Sequence, residues 1–354
     1  MGTPAVTITI TREVTEMAVV RRNILTDAVS MQKFSEGINL LKKDFSAGVT
    51  TQTLGFGGPA FPVSAYDQFV IWHSVAMSVP VPNDDGTNPR DRNSAHRGSI
   101  FLPWHRFMLA LMEGHLRRVL NDTSFGLPYW DWGADGDLTP AAQPQSPLWK
   151  DSGIGGNGSP VTDGPFGFDQ SNPEASFRVF FSEDVVSGQL VPLFTGRGLF
   201  RQLGLGLVTK DLPTTAQVTQ VIEQFTEYDE ADWDVASRGF RNVVEGWLLF
   251  GPNRRAEMHN RAHVWIGGDM GPSTSPNDPV FYLNHCNVDR IWEGWMVKHG
   301  RTYLPDNTTP GAPAGYRIDD PITSLVTTVT TTPAAMLDVS ALYSYDIVPA
   351  DDGV

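Results

Sequence analysis

Cysteine is almost absent from this sequence of 354 residues, which contains only Cys286. A single thiol can form neither an internal disulfide framework nor a cysteine-based zinc site, so both are excluded. Basic residues are also few, with 26 Lys and Arg against 40 Asp and Glu, and the formal net charge is −14. An acidic surface repels the phosphate backbone, which excludes nucleic acid as a partner.

Long apolar runs are missing as well. No stretch approaches the roughly 20 residues that a membrane-spanning helix needs. The first 20 residues are polar and alternating, unlike the apolar core of a secretory signal. The sequence therefore predicts a soluble protein with no membrane partner, located in the cytoplasm, with export alongside a partner protein as the alternative.

Helical periodicity dominates the remaining sequence. Helices are predicted at about 26–41, 66–77, 104–120, 214–225 and 236–249, and two more within 258–268 and 278–300. The stretch 135–176 is rich in Gly, Pro, Asp and Ser and predicts a long surface loop. Alternating Thr and Val around 325–331 predict short strands or extended packing. We therefore predict a mainly α fold, with residues 1–20 as an N-terminal extension and 21–348 as a single domain.

Six of the eight histidines form two groups along the sequence. They are His73, His96 and His105 in the first third and His259, His263 and His285 in the last. The second group opens with a pair four residues apart, which share one helix face and can bind one metal together. In the first group Pro103 can start the helix that carries His105, so that His96 comes from the preceding loop.

Two groups of three imidazoles, without cysteine or an obvious carboxylate ligand, favour copper. Imidazole also suits zinc, iron and nickel, but a paired all-nitrogen site that reacts with O₂ is typical of copper. A di-iron bundle would need paired Glu-x-x-His motifs, which the sequence lacks. A zinc protease would need Glu directly after the first histidine of the pair, where Asn260 stands. A structural zinc protein is the most distant alternative.

Long motifs around these histidines resemble those of the tyrosinases. The stretch HRGSIFLPWHRFML (96–109) resembles the first copper motif, and LPYWDW (127–132) resembles the segment that follows it. Three further stretches resemble the second copper region, most closely that of bacterial tyrosinases. They are GFRNVVEGW (239–247), MHNRAHVWIGG (258–268) and SPNDPVFYLNHCNVDRIWEGW (275–295). The resemblance extends from about Val20 to Tyr345, nearly the whole chain.

The resemblance implies a four-helix-bundle core that encloses a pair of copper ions, with long loops and a few short strands, in one catalytic domain over 21–348. It implies that His73, His96 and His105 hold CuA and that His259, His263 and His285 hold CuB. With O₂ as cosubstrate, such a centre oxidises o-diphenols to o-quinones, and full tyrosinases first hydroxylate monophenols. The implied partners are a small phenolic or aminophenolic substrate and a copper-delivery chaperone.

The resemblance also implies roles for residues outside the two histidine groups. Glu245 and Asn260 match the pair that is thought to hold a water which deprotonates incoming phenols, a general-base role. An insertion of about six residues, around 248–255, follows Glu245 and could displace it. Phe281 is expected to pack against the ligands. Asp289 is expected either to orient a ligand imidazole or to pair with Arg290.

The sequence departs from the family pattern around the predicted substrate pocket. Asn284 stands where a second histidine usually precedes the last ligand, and Thr274 replaces an aliphatic residue above CuB. Val264 replaces an arginine of some relatives. No cysteine lies near His96, so the thioether of fungal and plant relatives cannot form, and Cys286 is expected to be a packed core thiol.

Two other functions compete with phenol oxidation. The first is an o-aminophenol oxidase that forms quinone imines in secondary metabolism. Thr274 and Asn284 bear on it, because differences of about 1–3 kcal/mol per pocket contact would change the preferred ring substituent. The second is a haemocyanin-like O₂ carrier. A carrier must keep oxidisable substrates away, and we expect no covering domain here, which disfavours it.

Overall fold

The computed structural model describes residues 18–186, 189–205, 211–248 and 258–349. Within these ranges the α-helices are α1 (Ala28–Lys42), α2 (Ala65–Ser78), α3 (Phe101–Leu120), α4 (Trp132–Gly136), α5 (Thr215–Gln224), α6 (Phe240–Glu245), α7 (Met258–Ile266) and α8 (Val280–His299). The strands are β1 (Val19–Arg21), β2 (Val179–Val186), β3 (Gln189–Arg197), β4 (Ile322–Thr323), β5 (Thr330–Thr331) and β6 (Tyr343–Tyr345). The predicted mainly α fold with a few short strands is confirmed.

Local sequence explains where several helices begin and end. Asp27 caps α1 by accepting hydrogen bonds from the Val29 and Ser30 amides. The helix predicted at 236–249 is shorter in the structure, because α6 ends at Gly246, whose φ of 106° suits glycine best. The end of that predicted range, 249, lies outside the described residues.

The strands form three separate two-stranded sheets. β1 pairs in parallel with β6, so that Val19 lies opposite Tyr343 and the two ends of the domain meet. β2 and β3 form an antiparallel hairpin, and β4 pairs with β5. Within the region 325–331, where short strands or extended packing were predicted, only β5 is a strand, and no sequence pattern predicted the β2–β3 hairpin.

Four helices position the functional site at the centre of the molecule. α2 packs against α3, and α8 packs against both α3 and α7. Every side chain of α8 from Val280 to Met296 is buried, so this helix is surrounded on all sides. No helix in the described ranges has the length and apolar character needed to cross a membrane.

The prediction of a surface loop at 135–176 is wrong in one respect. The segment contains two short 3₁₀ helices, Gln143–Gln145 and Pro147–Trp149, and several of its residues are buried. Trp149 is buried against Trp130 and Trp265, with ring centroids 5.2 and 5.7 Å away. Scattered apolar residues without a period anchor this segment to the core, and a periodicity argument cannot detect them.

Candidate metal centre

The structure brings the six histidines together as two triplets. The first triplet is His73 on α2, His96 in the loop before α3 and His105 on α3, and the second is His259 and His263 on α7 with His285 on α8. Within each triplet one ring nitrogen from every histidine lies within 4.8 Å of the others. Five of the six side chains are buried, and His263 is partly exposed. The open side of the site therefore lies at His263.

The two triplets are in direct contact. The His105 and His285 rings stack with centroids 4.2 Å apart and planes inclined by 15°. His96 and His259 also approach across the gap, with centroids 6.0 Å apart. The arrangement therefore suits two metal ions held side by side.

Backbone carbonyls fix the orientation of four imidazoles through their Nδ1 atoms. The Nδ1 to carbonyl oxygen distances are 2.5 Å for His73 to Ser273, 2.8 Å for His105 to Phe101, 3.2 Å for His259 to Glu245 and 2.7 Å for His263 to Met270. A carbonyl oxygen only accepts, so each Nδ1–H must donate. Each of these rings therefore keeps the Nε2 lone pair free for a metal.

The surroundings of five Nε2 atoms support metal binding at this nitrogen. His73 Nε2 and His105 Nε2 are buried without a hydrogen-bond partner among the described residues. In the second triplet His285 Nε2 lies 3.0 Å from His259 Nε2 and 3.4 Å from His263 Nε2. Buried lone pairs that converge in this way are unfavourable unless a cation lies between them. The all-imidazole donor set fits copper.

Burial also keeps the imidazoles neutral. Desolvation lowers the pKa of His73 to about 3 and that of His263 to about 4. It likewise holds the pKa of the other four histidines well below the ordinary value, and neighbouring imidazoles lower it further. The neutral form is the one that binds a metal, so all six are ready to bind at neutral pH.

Glu245 and Asn260 both contact His259. The Glu245 carbonyl accepts from its Nδ1, and the Asn260 Oδ1 lies 3.0 Å from the same atom. The buried Glu245 carboxylate accepts from the Arg97 amide at 2.6 Å and pairs with Arg241 at 3.0 Å. Burial raises the pKa of this carboxyl, and the Arg241 charge opposes the rise. Most of the predicted insertion at 248–255 falls in 249–257, outside the described residues.

The residues predicted to shape the pocket lie in different environments. Val264 is 42% exposed beside the open side at His263, whereas Thr274 and Asn284 are buried. The Thr274 hydroxyl and both polar atoms of the Asn284 amide lack hydrogen-bond partners within the described part of the chain. Phe281 packs against His285 and His73, with centroids 4.1 and 5.0 Å away.

Asp289 was expected either to orient a ligand imidazole or to pair with Arg290, and in the structure its partners are different. Its carboxylate contacts Arg106 at 2.5 Å and Arg21 at 3.3 Å and accepts hydrogen bonds from the Tyr343 and Tyr345 hydroxyls. Arg290 pairs with Asp131 instead, at 3.0 Å. Asp289 therefore joins α8 to α3 and to the β1–β6 sheet.

Cys286 is a packed thiol, although it follows a histidine of the second triplet. It is fully buried, and its Sγ lies 3.3 Å from the Leu127 carbonyl oxygen. Burial raises the pKa of the thiol to about 12.

The reactivity of Cys286 tests this burial. At pH 8 almost none of the thiol is ionised, and a thiol reagent cannot reach the buried sulfur. We expect no labelling of the folded protein at pH 8 and one label per chain after denaturation. Rapid labelling of the folded protein would contradict this burial.

Comparison with known proteins agrees with this geometry. Residues 63–298 match the family described as the common central domain of tyrosinase. The tyrosinase of Streptomyces antibioticus is 37% identical over 287 residues, which cover 80% of this chain and 89% of the relative. The grixazone synthase of Streptomyces griseus is 35% identical over 299 residues, covering 79% and 90%.

A solved structure shows the same fold. A polyphenol oxidase variant from Thermothelomyces thermophila superimposes with a TM-score of 0.61 over 93% of this chain and 88% of the other, at 21% sequence identity. Both the sequence matches and the paired histidine triplets thus indicate one family. The chain belongs to the tyrosinase family and is an oxidoreductase of the tyrosinase type.

Proposed function

We propose that this protein is a copper-dependent oxidase that uses O₂ to convert o-diphenols to o-quinones, within a catalytic domain over 21–348. The observation that carries the proposal is the contact between two histidine triplets, in each of which one ring nitrogen from every histidine lies within 4.8 Å of the others. His73, His96 and His105 would hold one copper, and His259, His263 and His285 the other. When bound, the copper pair supplies the redox chemistry toward O₂.

The protein binds and orients the phenol beside this centre. The partly exposed His263 and the exposed Val264 mark the side from which the ring enters. Phe281 packs against the His285 ring, with centroids 4.1 Å apart and planes inclined by 33°, and this contact restricts the rotation of that imidazole. The surrounding aromatic side chains exclude water from the buried face of the site.

For monophenols we propose that Glu245 and Asn260 hold the water that accepts the phenol proton. Both residues contact His259 Nδ1, at 3.2 Å through the Glu245 carbonyl and at 3.0 Å through the Asn260 side chain. The Glu245 carboxylate already accepts from the Arg97 amide and from Arg241, which keep it in place. Asn260 therefore offers the cleaner test of this role.

Replacing Asn260 with alanine is expected to slow monophenol turnover about 100-fold or more, the usual scale for loss of general-base assistance. Catechol oxidation, which starts from a more acidic diphenol, should change only a few-fold. Steady-state rates of O₂ uptake with both substrates measure the difference. An equal fall with both substrates would assign Asn260 a purely structural role at His259.

An o-aminophenol oxidase is the second candidate. The similarity to a grixazone synthase is consistent with it. The buried Thr274 hydroxyl and Asn284 amide have no hydrogen-bond partner among the described residues, and these polar atoms would favour an amino substituent on the ring. For either candidate we propose a small phenolic or aminophenolic substrate. We also propose that a separate chaperone delivers the copper. For the location we propose the cytoplasm, with export alongside a partner protein as the alternative.

The experiment that decides between them loads the purified protein with copper and follows O₂ uptake with a monophenol, a catechol and an o-aminophenol in parallel. Turnover of catechol is the result that the proposal requires. Turnover of the monophenol as well would mean that the protein also hydroxylates, and it would support the proposed role of Glu245 and Asn260 in holding the water. Turnover of o-aminophenol alone would replace the first candidate with the second.

A further inference from the structure

A carboxylate from the β2–β3 hairpin reaches the surroundings of the first triplet. Glu183, in strand β2, accepts hydrogen bonds from the hydroxyls of Ser74 and Ser273, and the second of these measures 2.5 Å. Ser74 is buried, and Ser273 is partly buried. Hydrogen bonds to an ionised carboxylate are shorter and about twice as strong as those between neutral groups. Glu183 therefore joins α2 firmly to the loop that carries Ser273.

Both serines are next to the same imidazole. Ser74 follows His73 in α2, and the Ser273 carbonyl accepts the hydrogen bond from His73 Nδ1 at 2.5 Å. One serine thus belongs to the helix that carries the ring, and the other belongs to the loop that orients it. By holding the two serines together, Glu183 fixes the carbonyl acceptor relative to His73.

The loop between α7 and α8 serves both triplets. Its Met270 carbonyl accepts from His263 Nδ1, and three residues later its Ser273 carbonyl accepts from His73 Nδ1. The hairpin holds this loop at a second point, because the Asn277 side-chain amide donates to the Phe181 carbonyl at 2.6 Å. Loss of Glu183 would therefore release Ser273 while the loop stays attached near Asn277.

We propose that Glu183 is a positioning residue for metal binding at the first triplet, acting through Ser273 on the His73 imidazole. The inference rests on the proposed copper centre. The residue lies 109 positions from Ser74 and 90 from Ser273 in the sequence, so no local motif indicates it. Residues that orient a metal-binding imidazole typically contribute about 10- to 100-fold in metal affinity or activity.

The test compares Glu183→Ala, Glu183→Gln and Ser273→Ala with a matched control, Glu174→Ala. Glu174 precedes the hairpin in the sequence, its side chain is 82% exposed, and it forms an ion pair with Arg178. Copper retained per chain is measured by metal analysis after dialysis against a series of chelator concentrations. Thermal unfolding of the metal-free variants gives a separate measure of the scaffold.

The wild type and Glu174→Ala should retain two coppers up to the same chelator concentration. Glu183→Ala should lose one copper at a chelator concentration about 10- to 100-fold lower and keep the other. Glu183→Gln should fall between, because its amide can accept from one serine and donate to the other. The Ser273→Ala variant keeps the backbone carbonyl that accepts from His73. We therefore expect it to lose one copper at a lower chelator concentration than the wild type, with a smaller difference than for Glu183→Ala.

Three results would overturn the inference. The first is retention of both coppers by Glu183→Ala at the wild-type chelator concentration. The second is simultaneous loss of both coppers together with a lower melting temperature of the metal-free protein, which would make Glu183 a general scaffold residue. The third is Glu183→Gln behaving no better than alanine. Failure of the wild type to bind two coppers would instead refute the proposed copper centre itself, so the two failures are distinguishable.

Discussion

Replacing His263 with alanine is expected to remove one of the two coppers and to abolish phenol oxidation. His263 is partly exposed and is held through the Met270 carbonyl, so its removal should leave the fold intact. The second triplet would keep only His259 and His285, too few nitrogens for a stable site beside a substrate. Since even the partners of metal ligands contribute about 10- to 100-fold, loss of a ligand should lower kcat/KM for catechol more than 100-fold.

Metal analysis and O₂ uptake on the same sample measure both effects. His299→Gln is the matched control, because His299 lies at the end of α8 and donates from Nε2 to the Ile222 carbonyl, away from both triplets. The control should keep two coppers and full activity. Full activity of His263→Ala with one copper missing would refute the assignment of the second triplet.

Replacing Asp289 with asparagine is expected to destabilise the fold strongly without affecting copper binding. Asp289 is the shared partner of the buried Arg21 and Arg106, with closest distances of 3.3 and 2.5 Å. Asparagine preserves the size of the side chain but leaves two arginine charges without this counter-charge. Removing one member of a buried ion pair typically costs about 3–5 kcal/mol in the free energy of unfolding.

Chemical denaturation of the metal-free protein measures this loss, and metal analysis of the native protein measures copper. Asp338→Asn is a suitable control, since this exposed aspartate accepts a hydrogen bond from the Ser340 amide. It should change the free energy of unfolding by less than about 0.5 kcal/mol, because the asparagine oxygen can still accept from the Ser340 amide. Copper loss from Asp289→Asn at unchanged stability would contradict the structure and restore a role for Asp289 in orienting a ligand.

The sequence predicted the two histidine groups because each has a local signature. His259 and His263 share a helix face, and Pro103 marks the start of the helix that carries His105. The shape of the helical core follows from the same apolar periodicity. These features depend on residues that are near one another in the sequence, and therefore a single sequence can reveal them.

The contacts that orient the imidazoles could not be predicted in this way. Four of them use backbone carbonyls, which every residue possesses, so Ser273 and Met270 carry no sequence signal. Glu183 reaches the site from a hairpin that lacks a clear periodic pattern. The partners of Asp289 could not be predicted either. Spacing along α8 places this residue near His285, whereas its partners Arg21 and Arg106 come from distant positions in the sequence.

The central claim is that two coppers, one in each histidine triplet, together oxidise phenols. The most direct measurement adds copper stepwise to the metal-free protein and records copper bound per chain and O₂ uptake with catechol on each sample. The account predicts two bound coppers per chain, with catechol oxidation only in chains that hold both. Full oxidation with a single copper per chain, or two bound coppers per chain with no O₂ uptake in the presence of catechol, would contradict it.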